Sequence, residues 1–284
     1  MSLTAYVNGG FVPLEKAYIH IEDRGFQFAD GVYEVIACYG GQFLELKAHL
    51  KRLERSCQAI RVPLPATQDK LESLIRETYA RNDLKDSMLY VQVTRGVAPR
   101  IHVPTEELQP SLIITARELP TPDNATLLHG VTAITLEDIR WQRCDIKSIS
   151  LLASVMGKQE AMSRGAYEAL WLTDDDHILE GSSTNAFAVI DDVLVTHPLD
   201  CHVLGGITRD ILLRVAAANN IKTCERPWRL DEQGLSECMI SSTTNAVQPI
   251  VRIDDKAIGD GAPGLVAQRL RKLALAEISV LISA

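Results

Sequence analysis

The chain has 284 residues, of which 46% are hydrophobic and 23% charged, a composition typical of a folded globular protein. Its 29 basic and 37 acidic residues leave a net charge of −8, which argues against nucleic acid or an anionic membrane as the main partner. The sequence has no apolar run of about 18 residues and no basic-apolar leader, so we expect a cytoplasmic protein.

The first part of the chain alternates predicted strands and helices. Asn8-Gly9 predicts the turn of a hairpin over residues 6–12, and a strand over 32–39 ends at a Gly-Gly turn. Apolar residues at helical spacing predict helices over 47–60 and 71–79. Further apolar, β-prone runs predict strands at 88–93 and 112–115. These elements indicate a small α/β domain over residues 1–118.

A stretch rich in proline and turn residues separates this domain from the rest. Pro120 and Pro122 suppress regular structure, so we expect an interdomain loop over 119–130. Many short strands and few helices follow, which indicates a barrel-like sheet in a larger domain over 131–284. The predicted strands are 131–136, 169–173, 186–189, 193–195 and two near Met239 and Ile250; the predicted helices are 151–164, one from Ile207 and one from about Pro263.

Two short sequence segments, residues 143–148 and 180–185, suggest covalent cofactor chemistry. Lys147 lies in a stretch that is not basic, and Glu180 precedes a run of small hydroxyl residues. A lysine that forms an imine, with an acid that protonates a pyridine nitrogen, is what pyridoxal phosphate chemistry requires. A single lysine is more often a solvated surface residue. The rival Lys158 lies in an amphipathic helix, where we expect it to be solvated.

Two further strings are typical of a phosphate site. Gly205-Gly206 precedes a helix whose first residues are Ile207 and Thr208, so free backbone N–H groups and a hydroxyl would face an anion. The hydroxyl run 241–244 follows a predicted strand and could hold the other side of a phosphate. Each string taken alone is more often an ordinary turn, with Thr208 as a helix cap in the first and local side-chain bonds in the second.

The run from Glu180 to Arg209 resembles the signature of class IV aminotransferases. The matching residues are Glu180, Ser182, Asn185, Ala186, Phe187, Leu194, Thr196, Leu204, Gly206, Ile207 and Arg209. Within that class the chain is most similar to the D-amino acid aminotransferases. This closer resemblance is carried by residues 22–34, 95–102 and 138–141, and the resemblance as a whole covers nearly the entire chain.

The resemblance implies an α/β (α+β) fold of fold type IV: a small N-terminal α/β domain and a larger C-terminal pseudobarrel domain that carries the imine-forming Lys147. Pyridoxal 5'-phosphate would lie in the cleft between them, and no metal is expected. A lysine buried away from water would lose its proton more readily. The residues implied to bind the cofactor are Arg52, Glu180, Leu204, Ile207, Thr208, Ser242 and Thr243, with Arg140 a weaker candidate nearby.

In the D-amino acid enzymes the residues matching Tyr33, Arg100 and His102 hold the substrate α-carboxylate. Arg100 and His102 are two apart on an extended segment, so their side chains point the same way. The resemblance implies a homodimer in which both reach the partner's site. Ile101 stands where relatives commonly have a small or polar residue, which leaves the substrate range open.

The sequence therefore predicts ping-pong transamination between a D-amino acid (D-alanine, D-glutamate) and a 2-oxo acid (pyruvate, 2-oxoglutarate). The alternatives are a class IV branched-chain L-amino acid or (R)-amine transaminase, an aminodeoxychorismate lyase, and a cofactor-binding regulator without turnover. Arg100 and His102 oppose both the branched-chain and the (R)-amine transaminase. The intact Lys147, Glu180 and carboxylate-binding residues oppose the regulator. The six cysteines are expected to be free and mostly buried, with Cys144 a candidate reactive thiol near Lys147.

Overall fold

The computed structural model of the chain describes residues 2–104, 107–121 and 123–283, with the side chain of Asn124 left out. Pro122, one of the two prolines that predict the interdomain loop, is outside the described residues. No helix in these ranges is both long and apolar enough to cross a membrane.

The chain divides into two compact units. The first takes the residues up to Pro120, together with Ile146–Ser150 and the last residues from Leu281; the second takes Thr121–Asp145 and Leu151–Val280. The predicted domains place Lys147 in the C-terminal part, whereas its segment groups with the first unit. The reason is that the backbone of this segment bonds to the start of a first-unit strand, as described below.

The described residues of the first unit form one antiparallel sheet and three α-helices. Its strands are β1 (Thr4–Val7), β2 (Gly10–Pro13), β3 (Gly31–Tyr39), β4 (Gln42–Phe43), β5 (Asp86–Thr94) and β6 (Ser111–Glu118), and its helices are α1 (Arg24–Phe28), α2 (Leu46–Ala59) and α3 (Gln68–Ala80). The strand order is β2-β1-β6-β5-β3-β4. All the predicted elements of this part are present, but α1 was not predicted, because five residues are too few to show a helical period.

Local chemistry explains these elements. Asn8 and Gly9 both have positive φ (46° and 102°), as a tight hairpin turn between β1 and β2 requires. In α2, Leu50, Leu53 and Cys57 recur at helical spacing and are buried in the core beside β3 and β5. Burying this face of α2 against the sheet is what fixes the helix that carries Arg52.

The described residues of the second unit form nine strands and four helices. Its strands are β7 (Val131–Glu137), β8 (Glu168–Leu172), β9 (Ile178–Gly181), β10 (Asn185–Ile190), β11 (Val193–Thr196), β12 (Thr223–Glu225), β13 (Leu235–Ser241), β14 (Gln248–Ile253) and β15 (Lys256–Ala257), and its helices are α4 (Asn124–His129), α5 (Leu152–Ser163), α6 (Ile207–Ala218) and α7 (Leu265–Leu281).

Six of these strands close into a ring. The order along the sheet is β10-β13-β14-β7-β8-β9, and β9 pairs again with β10 through Glu180 and Asn185. Strands β11 and β12 extend the sheet outward from β10. The pseudobarrel fold is therefore confirmed, and the pairing that closes it is made by two residues of the signature run.

The predicted interdomain loop is wrong at its second half, because α4 lies within residues 119–130. Asp123 is the N-cap residue of this helix, and its carboxylate accepts a hydrogen bond from the Ala125 N–H at 3.0 Å. Gly130 then ends the helix with φ of 73°. An acidic cap and a following glycine bound one short helix in a stretch where the prolines predict a loop.

Candidate active site

Lys147 belongs to a segment that runs along the start of β3. The Tyr33 N–H donates to the Lys147 carbonyl at 2.9 Å, and the Ile149 N–H donates to the Gly31 carbonyl at 3.1 Å. Val32 and Ser148 form the bridge between these two bonds. The backbone on both sides of the lysine is thus fixed to a strand, so the side chain starts from a rigid position.

The amine of Lys147 lies over the ring of Tyr33, with Nζ 4.2 Å from the ring centroid. Tyr33 in turn stacks on Tyr90 at 5.6 Å between centroids, and the Tyr90 hydroxyl donates to Gln92 at 2.6 Å. Burial raises the pKa of Tyr90 to about 12, so this tyrosine is neutral at physiological pH. A half-buried amine therefore lies on an aromatic face, in contact with a residue predicted to bind the substrate.

Arg52 is buried and donates to Glu34, which also bonds to His49; neither Glu34 nor His49 was predicted as a site residue. Glu34 on β3 accepts from Arg52 Nε and Nη2, both at 2.7 Å, and from His49 Nδ1 at 2.7 Å. Desolvation opposes ionisation of Glu34, but hydrogen bonds and charge from Arg52 and His49 outweigh it and lower its pKa to about 2. The signal in the sequence was a carboxylate and a histidine at core-facing positions of β3 and α2.

Glu180 lies one residue before the end of β9 in the second unit, and both of its carboxylate oxygens accept hydrogen bonds. Arg140 Nη1 donates to Oε1 at 2.5 Å, while Asn185 Nδ2 and the Leu204 N–H donate to Oε2 at 3.1 and 3.0 Å. The carboxylate is only 8% exposed. Three donors from three separate segments fix this acid in orientation.

Arg140 joins Glu180 to a second carboxylate. Its Nε and Nη2 donate to Asp138, both at 2.9 Å, and Nη2 also donates to the His202 carbonyl at 3.0 Å. Burial opposes the charge of Arg140, but its bonds to Asp138 and the charge of Glu180 raise its pKa. Two carboxylates share one guanidinium, so this cluster retains one net negative charge, which suits a cationic ring nitrogen.

The start of α6 provides backbone donors. Gly206 is its N-cap residue and makes no side-chain cap, so the helix begins directly at Ile207 and Thr208. A Cβ on Gly206 would come within 2.0 Å of the Asn185 amide oxygen, so only glycine fits beside this residue. The glycine thus brings the helix N-terminus close to the Glu180 cluster. Leu204, which precedes it, accepts from Asn185 Nδ2 at 2.8 Å.

Ser242 and Thr243 lie in the turn after β13, and local bonds shape this turn. The Ser242 N–H donates to the Asn245 carbonyl at 2.9 Å, and the Asn245 N–H donates to the Ser242 hydroxyl at 3.1 Å. The turn borders a polar cavity of about 70 Å³ inside the second unit. Ser241 lines this cavity, and its buried hydroxyl has no partner among the described residues, so the cavity wall offers a polar group to an occupant.

Lys158 borders the same cavity, and its predicted solvation is wrong. The side chain is only 36% exposed; Nζ donates to the Tyr167 carbonyl and lies 3.6 Å from the buried Glu168 carboxylate. The hydroxyls of Ser182 and Thr184 also donate to Glu168, at 2.5 and 3.2 Å. The rival lysine is therefore occupied with a structural ion pair.

Arg100 and His102 lie on an exposed loop of the first unit. The guanidinium carbon of Arg100 is 4.9 Å from the Phe28 ring centroid, and the His102 ring lies 5.6 Å from it. Both side chains therefore face the same ring, as their spacing predicts, although the segment is a loop and not a strand. The described contacts of these two residues include none to Tyr33.

Cys144 is buried, and its thiol donates to the Trp141 carbonyl at 3.2 Å. Burial raises the pKa of this thiol to about 12, so it is not a reactive thiolate. The six cysteines are free and four of them are buried, which confirms the predicted thiol state; Cys201 and Cys224 are exposed.

Comparisons with known proteins support the same interpretation. The family model described as Amino-transferase class IV matches residues 31–253. The chain belongs to the class IV aminotransferases. A D-alanine aminotransferase of Listeria monocytogenes is 39% identical over 277 residues, covering 96% of this chain and 95% of that protein. A D-alanine aminotransferase of Staphylococcus haemolyticus is 36% identical over 269 residues, covering 94% of this chain and 95% of that protein.

A solved structure gives the same fold. The present chain resembles a branched-chain amino acid aminotransferase from T.th. whose structure contains pyridoxamine 5'-phosphate. The TM-score is 0.91 at 26% sequence identity, and the match covers 99% of this chain and 95% of that one. The predicted family, the fold type and the dependence on pyridoxal 5'-phosphate are confirmed.

The residues present in the aminotransferase fit this cofactor. The negative Glu180 cluster suits a pyridinium nitrogen, and the uncapped start of α6 with the Thr208 hydroxyl suits a phosphate. The predicted site residues fall into two sets by unit: Tyr33, Arg52, Arg100, His102 and Lys147 in the first, and Glu180, Leu204, Ile207, Thr208, Ser242 and Thr243 in the second. The role of each residue remains a prediction.

Proposed function

We propose that this enzyme transfers the amino group of a D-amino acid, with D-alanine and D-glutamate as the expected donors, to a 2-oxo acid such as pyruvate or 2-oxoglutarate. The two half-reactions follow a ping-pong order. The relatives named D-alanine aminotransferase support the substrate class, because each matches nearly the whole chain at 36% or 39% identity.

The observation that carries the proposal is the pairing of Arg100 and His102 at Phe28. The two side chains face one ring at 4.9 and 5.6 Å, so both can meet one small anion. A guanidinium offers two parallel donors to a carboxylate, and an adjacent imidazole adds a third. This arrangement suits the α-carboxylate of an amino acid.

Each remaining predicted residue has one task in this proposal. Pyridoxal 5'-phosphate supplies an aldehyde for the Lys147 amine and an electron-withdrawing ring. Lys147 would act as the general base that takes the proton from the substrate α-carbon, and as the general acid that later returns it. Glu180 keeps the ring nitrogen protonated. The phosphate ligands are Arg52, Ile207, Thr208, Ser242 and Thr243, with Leu204 packed against the ring.

The position of the carboxylate sets the chirality. Lys147 is fixed to β3, so it can reach an α-hydrogen only from one side. If Arg100, His102 and Tyr33 hold the carboxylate on one side of the substrate, only one enantiomer turns its α-hydrogen toward the amine. The lysine chemistry is then the same for either enantiomer. The three residues that hold the carboxylate, Tyr33, Arg100 and His102, form a carboxylate trap, and this trap alone selects the D-isomer.

We also propose a homodimer in which Arg100 and His102 serve the partner's site. Their loop and the neighbouring segment expose large apolar side chains: Tyr18, Ile21, Phe26 and Val103 are 73–79% exposed. A second copy of the chain would cover this surface. Six thiols in no disulfide suit a reducing compartment, so we place the enzyme in the cytoplasm.

The second candidate is a branched-chain L-amino acid transaminase. Its support is the similarity to the T.th. structure, at a TM-score of 0.91 but only 26% identity. The same amine and ring-nitrogen acid would serve this reaction, so Lys147 and Glu180 do not separate the two. The carboxylate trap separates the two reactions, since Arg100 and His102 place the carboxylate of a D-amino acid and not that of an L-amino acid.

A steady-state assay with paired donors tests the proposal. Purified enzyme is given 2-oxoglutarate with D-alanine, L-alanine, L-leucine or an (R)-amine, and the oxo product is measured. We expect the D-alanine kcat/KM to exceed each other value by at least about a hundredfold. A higher value for L-leucine would establish the second candidate in its place.

A further inference from the structure

Arg24 is a buried arginine that contacts the backbone of the carboxylate-trap loop. It is 4% exposed, and its Nη1 and Nη2 donate to the carbonyls of Ile101 and His102 at 2.5 and 2.9 Å. These two carbonyls flank the His102 residue itself. A single guanidinium therefore fixes two successive peptide groups of a segment that has neither helix nor strand to hold it.

The third donor of Arg24 is fixed by a buried ion pair. Its Nε donates to Asp30 at 2.9 Å, and Arg95 Nε and Nη2 donate to the same carboxylate at 2.7 and 3.0 Å. Desolvation opposes ionisation of Asp30, but the bonds and charges of Arg95 and Arg24 lower its pKa. Arg95 also donates to the Ile60 and Arg61 carbonyls just after α2, at 2.8 and 2.9 Å. The loop is thereby connected to a packed helix.

The position of Arg24 is itself determined by Asp23. This carboxylate is 1% exposed; it caps α1 through the Gly25 N–H at 2.8 Å and accepts from the Ser111 hydroxyl at 2.7 Å. The Arg24 N–H donates to the Gly96 carbonyl at 2.9 Å. The short α1 thus acts as a rigid support for Arg24 on one side and Phe28 on the other.

Phe28 adds the second contact between α1 and the loop. Its ring centroid is 4.9 Å from the guanidinium carbons of both Arg24 and Arg100, and 5.6 Å from the His102 ring. The backbone contacts of Arg24 set where residues 101 and 102 lie, and the ring of Phe28 sets where the side chains of Arg100 and His102 lie. Neither Arg24 nor Phe28 needs to touch the substrate to do this.

We propose that Arg24 is a positioning residue that, together with Asp30 and Phe28, holds the loop so that Arg100 and His102 present one anion site to the substrate carboxylate. The inference rests on the proposed function of those two residues. Lysine cannot replace Arg24, because donors on a single ammonium nitrogen do not span the two carbonyls and the carboxylate that the guanidinium reaches from three separate nitrogens. The effect on catalysis is confined to the binding of the carboxylate.

The test uses the holoenzyme and two readouts, the KM for D-alanine and the inhibition constant of propionate, which carries the carboxylate but no amino group. Arg24→Lys is expected to raise both by at least about tenfold, while kcat at saturating D-alanine and cofactor affinity change by less than about threefold. Phe28→Leu, which leaves the Arg24–Asp30 pair in place, is expected to raise both as well and serves if Arg24→Lys does not fold.

The matched control is Arg76→Lys. Arg76 also lies over a phenylalanine, 5.0 Å from the Phe43 centroid, and pairs with Glu72 at 2.8 Å, but it is on the exposed face of α3. The Arg76→Lys variant should leave the KM for D-alanine and the inhibition constant of propionate unchanged. Equal losses of kcat, cofactor affinity and propionate binding in Arg24→Lys would show a merely structural role and overturn the proposal.

Arg100→Ala separates this inference from the proposed function. One outcome is that Arg100→Ala alone raises the KM for D-alanine and the inhibition constant of propionate, while Arg24→Lys and Phe28→Leu leave them unchanged. In that case Arg100 binds the carboxylate as proposed, and the positioning role of Arg24 is wrong. If Arg100→Ala leaves both constants unchanged, the trap itself is wrong, and the positioning role is wrong with it.

Discussion

Glu180 and Asn185 lie opposite each other where β9 pairs with β10, and the Asn185 amide donates to the Glu180 carboxylate at 3.1 Å. This pair closes the six-stranded ring and forms part of the predicted cofactor site at once. The same Asn185 amide donates to the Leu204 carbonyl at 2.8 Å, so it also connects the barrel to the segment before α6. The acid is therefore as rigid as the sheet that carries it.

Replacing Glu180 with glutamine should leave the fold intact but lower kcat by at least about a hundredfold, since a neutral amide does not keep the ring nitrogen protonated. The measurement is kcat with bound cofactor confirmed by absorbance. Glu232→Gln is the matched control, because Glu232 also pairs with an arginine, Arg226 at 2.7 Å, but at the surface. A Glu180→Gln enzyme with wild-type kcat would contradict the assignment.

Replacing Lys147 with alanine should lower transamination by at least about 10⁴-fold without changing the far-ultraviolet circular dichroism, because the proton-transfer amine is lost. Lys158→Ala provides the comparison, since Lys158 forms an ion pair with buried Glu168. It should lower stability but keep the cofactor covalently attached after borohydride reduction. Peptide mapping of the reduced wild-type protein should find the cofactor on Lys147; recovery on Lys158 would reverse the assignment.

Acid should destabilise the fold through the Glu34 cluster. The pKa of Glu34 is lowered to about 2 from an ordinary 4.5, so its contribution is present above pH 4.5 and is lost as pH falls toward 2. Burial also lowers the pKa of His49 from 6.5, so its contribution begins to be lost below that pH. The free energy of unfolding should therefore fall as pH drops below 6.5, and the Glu34 part amounts to about 3 kcal/mol.

Denaturant titrations across this pH range check the prediction. Glu34→Gln should be less stable near neutral pH and show a flatter pH dependence. Glu77→Gln, which removes an exposed pair with Arg81, should change stability by less than about 1 kcal/mol at every pH. A wild-type profile that is flat from pH 6.5 to 3 would contradict the role of the cluster.

A charge on the exposed apolar surface of the first unit should prevent assembly. Phe26→Glu places a carboxylate on a side chain that is 76% exposed in the protomer. We expect a weaker dimer by sedimentation velocity and a proportional loss of activity. Leu265→Glu is the control, because Leu265 is equally exposed, at 81%, but lies on α7 of the second unit. An active monomeric Phe26→Glu enzyme would contradict the proposal that Arg100 and His102 serve the active site of the partner subunit.

The signature run coincides with the end of β9, with β10 and β11 and with the start of α6, while apolar runs predicted strands and helices elsewhere in the second unit. Partnerships across the sequence were not predictable. Glu34 meets Arg52 only after β3 and α2 pack together, and Arg24 meets Ile101 across 77 residues. A local pattern carries no information on which buried charges will pair.

The errors have similarly physical causes. Residues 119–130 looked unstructured because of their prolines, but one acidic cap at Asp123 suffices for α4. Lys158 was predicted to be solvated because its helix was expected to be amphipathic, but its amine lies 3.6 Å from the buried Glu168 carboxylate on β8. The segment Ile146–Ser150 follows second-unit residues in the chain but groups with the first unit, because its backbone bonds to β3.

The central claim is tested most directly by a single half-reaction. Holoenzyme is mixed rapidly with D-alanine or with L-alanine, without any oxo acid, and the cofactor absorbance is followed. The account predicts complete conversion to the pyridoxamine form with D-alanine and none on the same time scale with L-alanine. Equal or faster conversion with L-alanine would keep the family and the cofactor but contradict the roles given to Arg100 and His102.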